Sequence, residues 1–352
     1  MAGGAGTVED DTGALWRAMA DAARAEGSDH AARACDTLAE RVAAGLAPSD
    51  RTAASFEATV AAVDSLLDLD TRAEVLTHLA GGWDLAGDVT SAEPLLVAAL
   101  DAVPGHLQAH LQLAHVRLPG PGYYELLDRL HELIRPRSYL EIGMGDGSSM
   151  ALARPDCRAV GVDPVPTLQT PISAECLVVP QRSEDFLARS DVALCLPSGP
   201  PDLAFIDGLH TFTAVLDDFI GVERIAGPRT VVAIHDTIPL DEPTQRPDRV
   251  HAFYTGDVWK LLPVLWDLRP DLDVTTVRTS PSGLTLVTGL DPSNRTLADR
   301  RSQILAEYGR LPFSMASTTR GATLADDWDE VRLHLSSRGF GAPSDEPGLA
   351  SG

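Results

Sequence analysis

Apolar residues recur every three or four positions from Val8 to about Leu118, a period that predicts helices and no strands. Leu15, Met19 and Ala22 mark one such face; Phe56, Val60, Val63, Leu66 and Leu67 mark another. Gly27-Ser28-Asp29 and Pro48-Ser49-Asp50 break the run, and their Ser or Asp can cap the helix that follows. Leu118-Pro119-Gly120-Pro121-Gly122 reads as a linker. Beyond it the pattern alternates. A helix over Tyr124–Ile134 precedes short apolar runs at 138–142, 158–162, 176–179, 202–206, 230–234, 273–277 and 284–288. Continuous apolar runs of this length suit strands buried on both faces. Helices over 211–225 and 257–268 fill gaps between them, Thr296–Leu311 and Asp326–Leu335 add two more, and 1–7 and 341–352 read as loose ends.

The expected architecture is α/β. A Rossmann-like, seven-stranded, mostly parallel sheet has helices on both faces and follows an all-helical N-terminal domain. The predicted divisions are 8–118, 119–295 and a C-terminal 296–352 of helices and disordered tail.

Composition narrows the partners. The formal net charge of −23 repels phosphate backbones, so nucleic acid is not the expected substrate. The four cysteines have no metal-ligand or redox spacing. With no run of 18 apolar residues and an acidic start at Glu9-Asp10-Asp11, the expectation is a cytoplasmic protein without membrane contact.

The first apolar strand leads into Glu141-Ile142-Gly143-Met144-Gly145-Asp146-Gly147-Ser148-Ser149. Glycines at every second position suit a sharp turn where backbone approaches a ligand, and Ser148 or Ser149 can cap a following helix. A nucleotide-like ligand and a plain tight turn both fit that motif alone. The other strand ends are polar as well. They carry Asp163 in Val162-Asp163-Pro164, then Ser183-Glu184-Asp185, then Asp207-Gly208-Leu209-His210, then His235-Asp236. In a doubly wound sheet, ligands bind beyond these carboxyl ends. An acid at Asp163 is placed to accept hydrogen bonds from ribose hydroxyls. Acids at 141 and 146 make the glycine turn a poor phosphate cradle.

Over residues 119–290, these motifs and their spacing resemble the class I S-adenosylmethionine-dependent methyltransferases. The resemblance implies that Glu141, Gly143, Gly145, Gly147, Ser148, Asp163, Ser183 and Glu184 bind S-adenosylmethionine. Asp207-Gly-Leu-His210 and His235-Asp236 are most similar to the metal-dependent O-methyltransferases of the macrocin and mycinamicin type. That likeness implies a divalent ion (Mg or Mn) on Asp207, His235 and Asp236, and His210 as general base. The implied reaction is methylation of a small-molecule hydroxyl, as on a natural-product sugar or glycan. His235 departs from the acid found at that position in the family, and histidine suits magnesium poorly.

Milder readings stay open. Asp207 can cap a turn, His210 can be a solvated helix residue, and His235 can hydrogen-bond a loop. A metal-independent methyltransferase, or a binding module that merely holds the cofactor, also fits. Residues 237–260 form a long loop whose His251, Tyr254 and Trp259 either line an acceptor pocket or, for Trp259, fill the core. Leu76, Leu79, Ala80, Trp83, Ala92, Leu96, Ala99 and Pro104 stand at the offsets of a tetratricopeptide repeat, although an ordinary helical bundle gives the same period. Such helices offer a surface for a homo-oligomer or a protein partner.

Overall fold

The computed structural model describes residues 68–341 apart from 86–88, 190, 197, 315–322 and 326, together with scattered helical positions between 17 and 40. The expected loose end at 1–7, all but Gly341 of the one at 341–352, the apolar face at 56–67 and the break at 48–50 lie outside the described residues. The chain divides into two compact units, one of residues 1–117 with His251–Phe253, the other of residues 118–250 and 254–352.

In the first unit, helices α1 (Leu69–Leu85), α2 (Val89–Ala102) and α3 (Leu107–Arg117) follow one another. Leu76, Leu79 and Ala80 of α1 and Ala92, Leu96 and Ala99 of α2 are buried. These are the positions assigned to the repeat, and the alternation of Leu with Ala lets the helices approach closely. The helix pair is common to both helical readings of the sequence.

The second unit opens with α4 (Tyr123–Ile134) and β1 (Ser138–Ile142), then β2 (Arg158–Val162), β3 (Glu175–Val179), α5 (Ser183–Leu187), β4 (Leu203–Ile206) and α6 (Phe212–Ile225). It continues through β5 (Val231–His235), α7 (Leu261–Leu268), β6 (Asp273–Val277), β7 (Leu284–Thr288), α8 (Thr296–Tyr308), β8 (Thr323–Ala325) and α9 (Trp328–Ser337). The strand order is β3-β2-β1-β4-β5-β7-β6-β8. β7 alone runs antiparallel, against β5 and β6. All seven expected strands are present. An eighth, β8, pairs in parallel with β6; its three residues are too short to leave an apolar run in the sequence.

Successive strand residues face opposite sides of the sheet. Leu140, Val160, Ala204 and Val232 join one core with Phe219 of α6, Val264 of α7 and Ile304 of α8. Tyr139, Ala159, Phe205 and Ala233 join the other with Leu127 and Leu130 of α4 and Leu335 of α9. α8 and α9 thus each lay a buried face on one side of the sheet. The proline-glycine linker is likewise tied down, since Gly120 N–H donates to Arg278 O at 3.0 Å and Tyr123 N–H to Ser280 O at 3.1 Å.

One helix start differs from expectation. No α-helix follows the glycine turn: Met150–Leu152 is a single 3₁₀ turn without a side-chain cap. Pro155 disfavours helical backbone at the residue before it, and Ser149 is drawn away to Glu141. Asp257 does not cap the helix that follows it. Its Oδ1 accepts from Phe212 N–H at 2.6 Å, so it caps the start of α6 instead.

One buried ion pair ties α6 to the end of α7. Arg269, 1% exposed, reaches both oxygens of Glu223 at 2.7 Å and also binds Asp271. Arg269→Ala strands a buried carboxylate and should lower unfolding free energy by about 3–5 kcal/mol, read from urea denaturation.

Candidate active site

The carboxyl ends of β1, β2 and β4 open into a cleft of about 570 Å³ lined by Gly143, Gly145, Asp163, Pro164, Ser183, Glu184, Asp207 and Leu209, among others. This volume is in the range that holds a cofactor-sized ligand. Gly143 has φ +85, and a Cβ there would meet the Asp207 carbonyl at 2.1 Å, so only glycine lets the β1 turn lie against the β4 turn. Gly145 N–H donates to Asp163 Oδ2 at 3.0 Å, and Val165 N–H donates to Oδ1 at 2.7 Å. These bonds lock the carboxylate at the cleft wall. They use two of its roughly four acceptor positions and leave the rest for ligand hydroxyls.

Three expected cofactor residues lie away from the cleft wall. Glu141 is fully buried and accepts from Tyr139 Oη at 2.8 Å and from Ser149 Oγ. Burial pushes its carboxyl up to about 7, against the opposing pull of those hydroxyls. Gly147, φ +83, faces Leu168, where a Cβ would come within 2.8 Å. Ser148 Oγ lies 3.2 Å from Thr170 Oγ1, and its amide donates to Asp146.

Beside the cleft, the turns after β4 and β5 bring four side chains together. His210 Nδ1 lies 2.9 Å from Asp236 Oδ2, and His210 Nε2 lies 3.4 Å from Asp207 Oδ1. His235 Nδ1 lies 3.2 Å from Asp207 Oδ1. Among the described residues, Asp207, His210 and Asp236 each offer a ligand atom within 4.8 Å of the others. Although His210 Nδ1 and Asp236 Oδ2 are close, both are buried without a well-formed hydrogen bond. A cavity of about 10 Å³ between these groups has room for about one water or ion. Two carboxylates and an imidazole converging on such a space suit a cation.

Charge follows from this packing. Burial opposes ionisation of Asp207, but His235 and His210 outweigh it and hold the carboxyl well below the usual range. Burial also works against a charged His210, yet Asp236 and Asp207 push it up to about 11. His235 is raised in the same way by the two carboxylates. Asp236 has φ +60, in the left-handed region that is costly for a residue with a side chain.

The long loop supports the cluster in part. Tyr254 stacks on His210 with ring centroids 5.5 Å apart and planes 6° apart, and its hydroxyl lies 2.7 Å from Pro247 O and 3.2 Å from His210 O, two acceptors for its one proton. Gly256 lies so close that a Cβ would sit 1.7 Å from His210 O. Trp259 is fully buried, its Nε1–H donating to Gln245 at 3.1 Å, so it belongs to the core. His251 groups with the first unit.

Sequence reading missed Tyr123, whose ring stacks on His235 at 4.1 Å, and Ser282, whose hydroxyl reaches both His235 and Asp236. Tyr123 sits at a helix start and Ser282 in a Ser-Pro-Ser-Gly turn, and neither carries a local chemical signal.

Residues 140–237 match the family model described as a methyltransferase domain. No protein of curated function matches the sequence. Similar solved structures include the O-methyltransferase TomG from Streptomyces achromogenes, in complex with SAM and involved in tomaymycin synthesis. It has 22% identity and a TM-score of 0.36 over 48% of this chain and 80% of that one. An O-methyltransferase from Bacillus cereus in complex with SAH has 16% identity and a TM-score of 0.35 over 56% of this chain and 98% of that one. The MycE methyltransferase of the mycinamycin biosynthetic pathway, in complex with Mg and SAH, has 15% identity and a TM-score of 0.36 over 59% of this chain and 64% of that one.

The buried Glu141 has a consequence for stability. Its folded pKa lies above the ordinary 4.5, so its favourable contribution is full below about pH 4.5 and is lost as pH rises through about 7. Glu141→Gln escapes that loss. Its stability relative to wild type should rise by about 3 kcal/mol between pH 4.5 and 7 and then level off, as read by urea unfolding across pH.

A parallel sheet closed by the antiparallel β7, a glycine turn at its first strand end and the match over 140–237 lead to one conclusion: this part of the chain is a methyltransferase domain with a Rossmann-like fold.

Proposed function

We propose that the sheet domain is an S-adenosylmethionine-dependent O-methyltransferase acting on a hydroxyl of a small molecule. The observation that carries this reading is the double position of Asp207. It lines the cleft with Gly143, Asp163 and Ser183, and it also belongs to the cluster with His210 and Asp236. A donor held in the cleft therefore lies beside groups able to bind and deprotonate an acceptor.

Asp163 would take the ribose hydroxyls on its free acceptor positions. The glycine turn would face the amino-acid end of the cofactor, and Ser183 and Glu184 the adenine end. Asp207 and Asp236 would hold a divalent ion, with His210 within reach. Such an ion lowers the pKa of an acceptor hydroxyl. A bound S-adenosylmethionine would supply the methyl group to the acceptor oxygen and leave as the neutral thioether, and His210 would take the acceptor proton. Two carboxylates hold His210 protonated when nothing else offsets their charge, so its service as a base depends on a cation beside them. That dependence favours the metal-assisted reading over one in which His210 acts alone. A sugar of a natural product or glycan is the acceptor class we assign, on the sequence resemblance to the macrocin and mycinamicin type.

Two measurements test this. Calorimetry should find S-adenosylmethionine binding that Asp163→Ala weakens at least about tenfold, on the order of 1.4 kcal/mol or more. A protein that does not bind the cofactor sinks the proposal. Chelation should abolish methyl transfer to a panel of sugar and phenol acceptors, and Mg or Mn should restore it. Full activity in chelator removes the ion and leaves the transfer.

A further inference from the structure

Three side chains of the candidate site, Asp207, His235 and Asp236, are joined through a residue outside the sequence motifs. Ser282 lies in the turn between β6 and β7 and is 1% exposed. Its hydroxyl donates to Asp236 Oδ1 at 2.5 Å. A carboxylate only accepts, so the Ser282 proton is committed there and its oxygen is free to accept. His235 Nε2 lies 3.3 Å from that oxygen and can donate to it. The other ring nitrogen, Nδ1, faces Asp207 Oδ1 at 3.2 Å, again a pure acceptor. The result is a chain of hydrogen bonds, Asp236 to Ser282 to His235 to Asp207, running behind the two carboxylates that His210 spans in front.

We infer that Ser282 and His235 are positioning residues that set the spacing of Asp207 and Asp236, and that His235 is not itself a ligand of the ion. The inference rests on the metal-assisted reading above. Both His235 ring nitrogens are turned to Asp207 and Ser282, and among the described residues the ligand atoms that lie within 4.8 Å of one another belong to Asp207, His210 and Asp236, not to His235. Tyr123 stacked on the ring at 4.1 Å further fixes its plane. Asp236 needs such support, because its φ of +60 persists only where surrounding contacts over-determine it. The turn that carries Ser282 is itself anchored. Ile238 N–H donates to Ser282 O at 2.7 Å, and Gly283, φ +76, lies where a Cβ would come within 2.5 Å of Ile238. This frame also accounts for a histidine where related enzymes are expected to place a second acid. Its two ring nitrogens face Asp207 and Ser282 and brace the carboxylates where an acid would add a third negative charge.

The test uses Mn²⁺ alone as the probe, followed by electron paramagnetic resonance on the full chain, with S-adenosylmethionine calorimetry as a control for folding. Ser282→Ala should weaken Mn²⁺ binding about 10–100-fold with cofactor affinity unchanged, the range found when a group behind a metal ligand is removed. His235→Asn should weaken it within the same range, whereas Asp207→Asn and Asp236→Asn should abolish it. In the metal-free protein, the His235 Nε2 proton should give a slowly exchanging imidazole N–H resonance that His235→Asn removes and that Ser282→Ala also loses. Unchanged Mn²⁺ affinity and an unchanged resonance in Ser282→Ala overturn the inference. So does loss of Mn²⁺ in His235→Asn as complete as in the aspartate variants. If the wild-type protein binds no Mn²⁺, the metal-assisted reading fails, and the resonance alone decides the frame: its loss in Ser282→Ala upholds it, and its persistence refutes it.

Discussion

Two carboxylates forced together at the ends of neighbouring strands set the terms for everything around them. β4 and β5 pair in parallel through Ile206 and Ile234, so the residues that leave the ladder, Asp207 and His235-Asp236, emerge side by side. Neighbouring strands lie about 4.8 Å apart, and two like charges at about 4 Å repel by about 4 kcal/mol near a protein surface. The backbone imposes this proximity; the side chains must relieve it. His210 and His235 do so in this structure, each raised in pKa by the acids it faces. A cation between the acids would relieve it in another way, and the small cavity beside His210 and Asp236 has room for one.

That electrostatic demand accounts for the second layer of contacts. The loop over 244–257 folds back so that Tyr254 stacks on His210 and Gly256 touches its carbonyl, while Asp257 pins the start of α6 two residues after His210. The β6–β7 turn holds Asp236 and His235 from the other side through Ser282. Each device fixes a charged side chain in a place where it would otherwise swing away from its like-charged neighbour. Such preorganisation is what proximity catalysis requires, since holding reacting groups in register supplies much of the rate of a transfer whose donor is already activated.

The cleft and the cluster are joined at one residue and are otherwise built differently. The cleft depends on backbone. Gly143 lets two turns touch, and Gly145 donates its amide to Asp163. The cluster depends on side chains. The cleft and the cluster can therefore vary independently of one another in sequence.

The sequence by itself determined the sheet, because buried parallel strands leave continuous apolar runs and their ends must carry the polar groups. Gly143, Gly145, Asp163, Ser183, Asp207, His210 and Asp236 stood out for the same reason: each lies within four residues of a strand's carboxyl end, where the structure places the cleft and the cluster beside it. Only the tertiary structure decided how those groups divide the work. Glu141 turns inward to Tyr139 and Ser149, since strand residues alternate faces and its side meets the core. The helix expected after the glycine turn shrinks to one 3₁₀ turn. His235 faces Asp207 and Ser282, an arrangement set by the β6–β7 hairpin 47 residues away. Tyr123 and Ser282 carry no motif because their roles come from distant partners, and local spacing cannot encode a contact that folding alone creates.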